Sequence, residues 1–153
     1  MKLISTLVAA SIVALATLPA QAATATANFN VTANLTSVCS VTAAPTDLIF
    51  TYTSFQAAAA TGAGGAFSVK CTTSLPFSMS INTVASNTVI GLTYTLGLAT
   101  GAAPGTPITT STGTGAAASY VVTGSMAAGQ SGICATAGGA CSGTNIHQLT
   151  VTY

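Results

Sequence analysis

The sequence predicts an all-β fold, and three observations predict it. Beyond residue 22 no apolar repeat at helical spacing runs for a useful length. Apolar residues alternate instead with Ser and Thr in short runs rich in Val, Ile, Thr, Phe and Tyr. Clusters of Gly, Ala, Ser and Pro separate those runs. Many short antiparallel strands at this spacing indicate a β-sandwich.

The elements follow in order. Phe29-Asn30-Val31-Thr32-Ala33-Asn34-Leu35 alternates cleanly, and the pattern runs back through Ala27 and Ala25. Leu48 to Tyr52 is a short second strand, Ala66 to Cys71 a third and Phe77 to Ile81 a fourth. Leu92 to Leu98, Ser119 to Met126 and Ile146 to Tyr153 complete the set. The tracts Ala57 to Gly65 and Thr100 to Ala118 offer little to bury and are expected as loops.

Residues 1–22 are expected to be a removable export signal. Met1-Lys2 gives a positive start, Leu3 to Leu18 an apolar run, and Ala20-Gln21-Ala22 an A-x-A cleavage site after Pro19. The run falls short of the roughly 20 residues that a membrane span needs, so an uncleaved anchor is the weaker reading. About 130 residues then remain, enough for one domain with one core.

The expected mature chain retains only Asp47, Lys70 and His147 as acidic or basic side chains. Nothing could neutralise a phosphate backbone, so nucleic acid is excluded as a partner. Attraction to an anionic membrane surface fails for the same reason. A near-neutral, apolar-rich protein tends to associate. That is tolerable in a polymer subunit.

Cys39, Cys71, Cys134 and Cys141 are an even set in an exported chain and read as disulfides. Three pairings can be drawn. Cys39–Cys71 with Cys134–Cys141 is favoured, because each joins nearest neighbours and the pairs occupy separate regions. A zinc site is disfavoured by the lack of a C-x-x-C knuckle, and no cofactor is expected.

The two ends carry the functional expectation. No glycine precedes Gly62 and no proline lies between Ala23 and Thr42. The expected mature N-terminus is thus one strand-competent stretch of about 20 residues, where five or six is usual. Residues 23–31 are read as surplus, with Ala25, Ala27, Phe29 and Val31 along one face, and 32–153 as the domain, whose first strand is the remainder of that stretch. At the other end Leu149, Val151 and Tyr153 alternate with Gln148, Thr150 and Thr152. They are expected to face the core in a strand that borders an open groove. A sandwich missing its last strand leaves that groove and an unpaired edge, which invite strand addition. The surplus strand of a neighbouring copy is the matching part. Head-to-tail joining of this kind does not close, and it grows a fibre.

In the order of these segments the chain resembles the spore coat protein U-like family, and within it the pilins of archaic chaperone–usher (Csu-type) fimbriae. The carriers are Phe29 to Leu35 leading to Cys39-Ser40-Val41, then Leu48-Ile49-Phe50-Thr51-Tyr52 and Val69-Lys70-Cys71-Thr72. Pro76 to Asn82, Leu92-Thr93-Tyr94 and His147 to Tyr153 continue the likeness. The chain departs from the family pattern at Thr51, at Asn145-Ile146-His147 and in its closely spaced second cysteine pair. The resemblance implies an incomplete immunoglobulin-like fold, a periplasmic chaperone that lends a strand and an outer-membrane usher that exchanges it. It also implies polymers of identical or related pilin subunits, in extracellular fimbriae that serve adhesion and biofilm formation.

Catalysis is not expected. One His, one Asp and no Glu leave no nucleophile–base–acid set. His147 is read as an exposed or capping residue, Asp47 as a turn residue and Lys70 as a solvated strand residue. The alternatives to a pilin are a secreted spore-coat or matrix protein, whose N-terminal strand fills its own groove, and a fibre-tip binding module. A tip is disfavoured, because it needs a second domain and has no task for a free donor strand.

Overall fold

The computed structural model describes residues 23–82, 87–101, 105–136 and 138–153. The expected signal segment 1–22 lies outside them. The described residues hold strands and no helix. The strands in chain order are β1 (Cys39–Ala43), β2 (Leu48–Ile49), β3 (Ala60–Thr61), β4 (Ala63–Gly64), β5 (Ala66–Cys71) and β6 (Pro76–Ile81). After them come β7 (Thr88–Val89), β8 (Leu92–Thr100), β9 (Thr106–Pro107), β10 (Thr110–Thr112), β11 (Ala117–Met126) and β12 (Leu149–Thr152).

Every ladder is antiparallel. The larger sheet runs β1-β5-β11-β8-β7, with β3 added on β11 and β9 on β8. The smaller runs β10-β6-β12, and β2 pairs with β4 alone. Period-two alternation sends Phe67, Val69 and Cys71 of β5, and Phe77 and Met79 of β6, into one core with Leu98 and Tyr120. Leu149 and Val151 of β12 pack against the same cluster. Side chains of both sheets therefore meet in one interior, as a β-sandwich requires. Tyr120 organises it: its ring stacks on Phe67 with centroids 5.5 Å apart and meets Phe77 edge-on at 6.4 Å. Its hydroxyl donates to Ser111 Oγ at 3.2 Å, which satisfies the polar end inside the core.

β8 and β11 are the longest strands, at 9 and 10 residues. Leu98 and Tyr120 belong to the main core. Leu92, Tyr94 and Met126 form a second cluster with Phe50, Tyr52, Ala60, Val89, Ile90 and Leu96.

Residues 23–34 form a unit of their own and carry no ladder. The alternating stretch Phe29 to Leu35 was expected to supply the first strand of the domain from about Thr32. The first paired strand is instead β1, from Cys39. The tracts 57–65 and 100–118, expected as loops, contribute the short strands β3, β4, β9 and β10.

Candidate functional site

β12 ladders to β6 on one side, from Leu149 opposite Ile81 to Thr152 opposite Ser78. Among the described residues no strand pairs with its other edge, and β1 likewise borders the larger sheet. Leu149 also lines a groove of about 540 Å³. Leu92, Tyr94, Leu96 and Met126 line it from the larger sheet, and Ile81 lines it from β6. Leu48 and Phe50 contribute from β2 and the residue after it, Val89 and Ile90 from β7 and its turn. Cys141 to Asn145 and His147, on the long β11–β12 connection, also line it. An unpaired strand edge beside an apolar groove is the arrangement that accepts an added strand.

Two glycines give Leu48 and Phe50 their places. A Cβ on Gly124 would stand 2.6 Å from Leu48 Cδ2 and 2.7 Å from Phe50 Cζ. A Cβ on Gly62 would stand 2.7 Å from Leu48 Cγ. The bare backbone at Gly124 of β11 and at Gly62, between β3 and β4, thus makes the slot in which these side chains rest. Ile90 and Gly91 turn the β7–β8 hairpin with φ of 45° and 71°. A β-branched residue is costly there, and it sits on the groove lining.

Polar groups of the groove are joined in one chain. Asn145 Nδ2 donates to Thr88 O at 2.9 Å and to the Tyr94 hydroxyl at 2.8 Å. The Tyr94 hydroxyl lies 2.7 Å from His147 Nε2, and His147 Nδ1 lies 3.1 Å from the Asn82 carbonyl oxygen. A carbonyl only accepts, so Nδ1 carries the proton, and Nε2 of the neutral ring accepts from Tyr94. Asn82 Oδ1 accepts from Gln148 N at 2.6 Å, continuing the stitching into β12. His147, expected as exposed or capping, is half-buried and bonded at both nitrogens. The signal for this lay in parity: Asn145, His147, Leu149 and Val151 share one side of the alternation, and all four are half-buried.

The disulfides are Cys39–Cys71 and Cys134–Cys141. The first links β1 to β5. The second staples the β11–β12 connection, whose Cys141 lines the groove. Two such bonds fit an oxidising compartment.

On the N-terminal unit Ala25, Ala27, Phe29 and Val31 are all exposed, Phe29 at 85% and Val31 at 82%. Tyr153 departs from expectation. Leu149 and Val151 face inward, whereas Tyr153 is 58% exposed and lies one residue past the end of β12, so the ladder no longer fixes its direction. It lines a second, shallower groove of about 630 Å³ with Pro76, Phe77, Ser78 and Thr110 to Thr112. Asp47 and Lys70 are exposed. Among the described residues no three His, Cys, Asp or Glu side chains gather as a metal site, and no helix is long and apolar enough to cross a membrane. No protein-family model, curated protein or solved structure matches this chain.

Proposed function

We propose that the chain is a structural, non-enzymatic subunit of an extracellular fimbria, assembled by donor-strand complementation. The observation that carries the reading is the edge of β12 that no strand pairs among the described residues, on a strand whose Leu149 lines an apolar groove with Leu92 and Met126. The exposed stripe Ala25, Ala27, Phe29 and Val31 supplies an insert with the two-residue period that such a groove reads. Residues 23–31 of one copy fill the groove of the next and complete an immunoglobulin-like sandwich.

Burying four or five such side chains stabilises the joint by roughly 5–10 kcal/mol gross. Paired backbone groups add about 1 kcal/mol each net. Such a joint is durable, and the resemblance to archaic chaperone–usher pilins supplies the route: a periplasmic chaperone holds the groove until an outer-membrane usher exchanges it for the donor. The near absence of charge, with Asp47 and Lys70 the only acidic and basic residues among residues 23–153 apart from His147, favours lateral and end-to-end association over solubility as a monomer.

Refolded protein analysed by size-exclusion chromatography and unboiled SDS gels tests the reading. A ladder of SDS-resistant multimers is expected. A stable monomer at high concentration overturns it in favour of a self-complemented coat or matrix protein.

A further inference from the structure

We infer that the Cys134–Cys141 disulfide is a thiol–disulfide exchange site on the groove. A dithiol opens it in the folded protein and thereby unpins one groove wall. The effect on a bound strand rests on the donor-strand reading; the selective opening does not.

The two disulfides differ in what a reductant can reach. Cys39 and Cys71 are 8% and 3% exposed, stand opposite each other in the β1–β5 ladder and belong to the main core. A thiolate meets them only when that ladder opens. Cys134 is exposed, and so are Ala135, Thr136, Gly138, Gly139 and Ala140, the described residues between it and its half-buried partner. Exchange requires direct attack on a sulfur, so access separates the two bonds.

What the accessible bond holds is a wall of the groove. On one side of it Ile133 N donates to Ile90 O at 2.7 Å. On the other, Asn145 Nδ2 donates to Thr88 O and to the Tyr94 hydroxyl. Between these two anchors the hydrogen bonds among the described residues join the loop only to itself, as Gly139 N does to Thr136 O at 3.2 Å. The disulfide is therefore the tie that gives Cys141 to Thr144 a fixed course along the groove. That course runs close to β7, since a Cβ on Gly143 would stand 2.9 Å from Val89 Cγ2. The loop's own residues are exposed, so releasing it uncovers little apolar surface and the core stays packed.

The exchange balances with a dithiol as the reductant. One of its thiolates attacks Cys134 Sγ, the S–S bond breaks, and Cys141 leaves as a thiolate that takes up a proton. The second thiol of the reductant then attacks the mixed disulfide. Cys134 is released as a thiol, and the reductant departs as its own disulfide. Two electrons and two protons have passed to the protein.

Dithiothreitol added to the folded full chain without denaturant tests the site, with timed trapping by iodoacetamide and peptide mapping. Cys134 and Cys141 should be alkylated about tenfold faster than Cys39 and Cys71, while the circular dichroism of the sheets is retained. Equal rates for the two pairs, or loss of the β signal together with the first alkylation, overturn the inference. Affinity for a synthetic peptide of residues 23–35 should fall about tenfold on this reduction and return on reoxidation with glutathione disulfide. The double variant Cys134→Ser, Cys141→Ser should bind as weakly as the reduced chain and ignore the dithiol. A reduced chain that binds as tightly as the oxidised one, or a double variant that still responds, overturns the role of this bond in the groove. No peptide binding in either state overturns the donor-strand reading, while the alkylation rates still decide the exchange site.

Discussion

Cys39 and Cys71 stand directly opposite each other in the β1–β5 ladder, their Cα atoms 4.1 Å apart and their sulfurs joined. Two further bonds extend the pairing beyond them. Val38 N donates to Thr72 Oγ1 at 3.0 Å, and Thr72 N donates to Val38 O at 3.0 Å. The domain is therefore fastened at the position where the main ladder begins. Leu35, at 82% exposure, stands free a few residues earlier.

That placement makes Cys39→Ser the more damaging cysteine change. The bond spans 32 residues, and the chain-entropy argument assigns it about 3–4 kcal/mol. Cys39→Ser should lower the melting temperature sharply and reduce accumulation of the protein. Thermal unfolding of the purified variant checks this; an unchanged midpoint would show that the ladder holds without the bond.

Cys141→Ser should behave differently. Its bond spans 7 residues and is worth about 2.5 kcal/mol by the same argument. Cys141 lines the groove, and the neighbouring Gly143 lies so close to the β7–β8 turn that an added Cβ would stand 2.8 Å from Ile90 Cγ2. Losing the staple loosens this lining more than the main core. A modest drop in midpoint, accompanied by at least a tenfold loss in affinity for a peptide of residues 23–35, is the expected pair of results. Unaltered peptide affinity would separate the staple from the groove.

Gly124→Ala probes the groove from its floor. The added methyl meets Leu48 and Phe50 side chains, which can move only by leaving the slot they occupy. Overpacking of this kind costs about 1–3 kcal/mol. The displaced side chains belong to the groove lining, so peptide affinity should fall further than stability does. Gly97→Ala is the matched control on the adjacent strand, because its nearest neighbour is Thr123 Oγ1 at 3.0 Å, away from the groove lining. Equal effects of the two changes on peptide binding would remove Gly124 from the site.

The strands that bury large side chains were legible in the sequence. β5 falls on the expected Ala66 to Cys71, and β6, β8 and β11 extend their expected spans by one or two residues at an end. Phe67, Val69, Phe77, Met79, Leu92, Tyr94 and Leu98 alternate plainly, and alternation is what a half-buried strand writes into its sequence. The short strands Ala60–Thr61, Ala63–Gly64 and Thr110–Thr112 left no such mark. Their ladders rest on backbone bonds, and Ala, Gly and Thr occur equally in loops. The opposite mismatch arises over Phe29 to Leu35, where clean alternation forms no strand ladder among the described residues. The groove was expected from β12, but its polar chain was not. Tyr94 stands 51 residues before Asn145 and 53 before His147, and only the fold of the β11–β12 connection brings them together.

The donor segment supplies the decisive prediction. Phe29 is the largest side chain on the face of Ala25, Ala27 and Val31, and it is 85% exposed. Phe29→Asp leaves the domain core untouched, because the core residues begin at Cys39. The folded subunit should therefore keep its stability within about 0.5 kcal/mol of the wild type. In a joint, however, the same change buries an unpaired carboxylate, at a cost that the remaining small side chains cannot offset. Fibres should be absent, although monomers accumulate. Deleting residues 23–28 should give the same separation of folding from linkage, with a synthetic peptide of residues 23–35 restoring an occupied, more stable domain. A self-complemented protein predicts the reverse: the deletion would unfold the monomer, since the strand would be completing its own core. Electron microscopy of the Phe29→Asp protein then decides between the two. Fibres of normal length would refute complementation in trans, and their absence from a folded subunit assigns the N-terminal segment to the neighbouring copy.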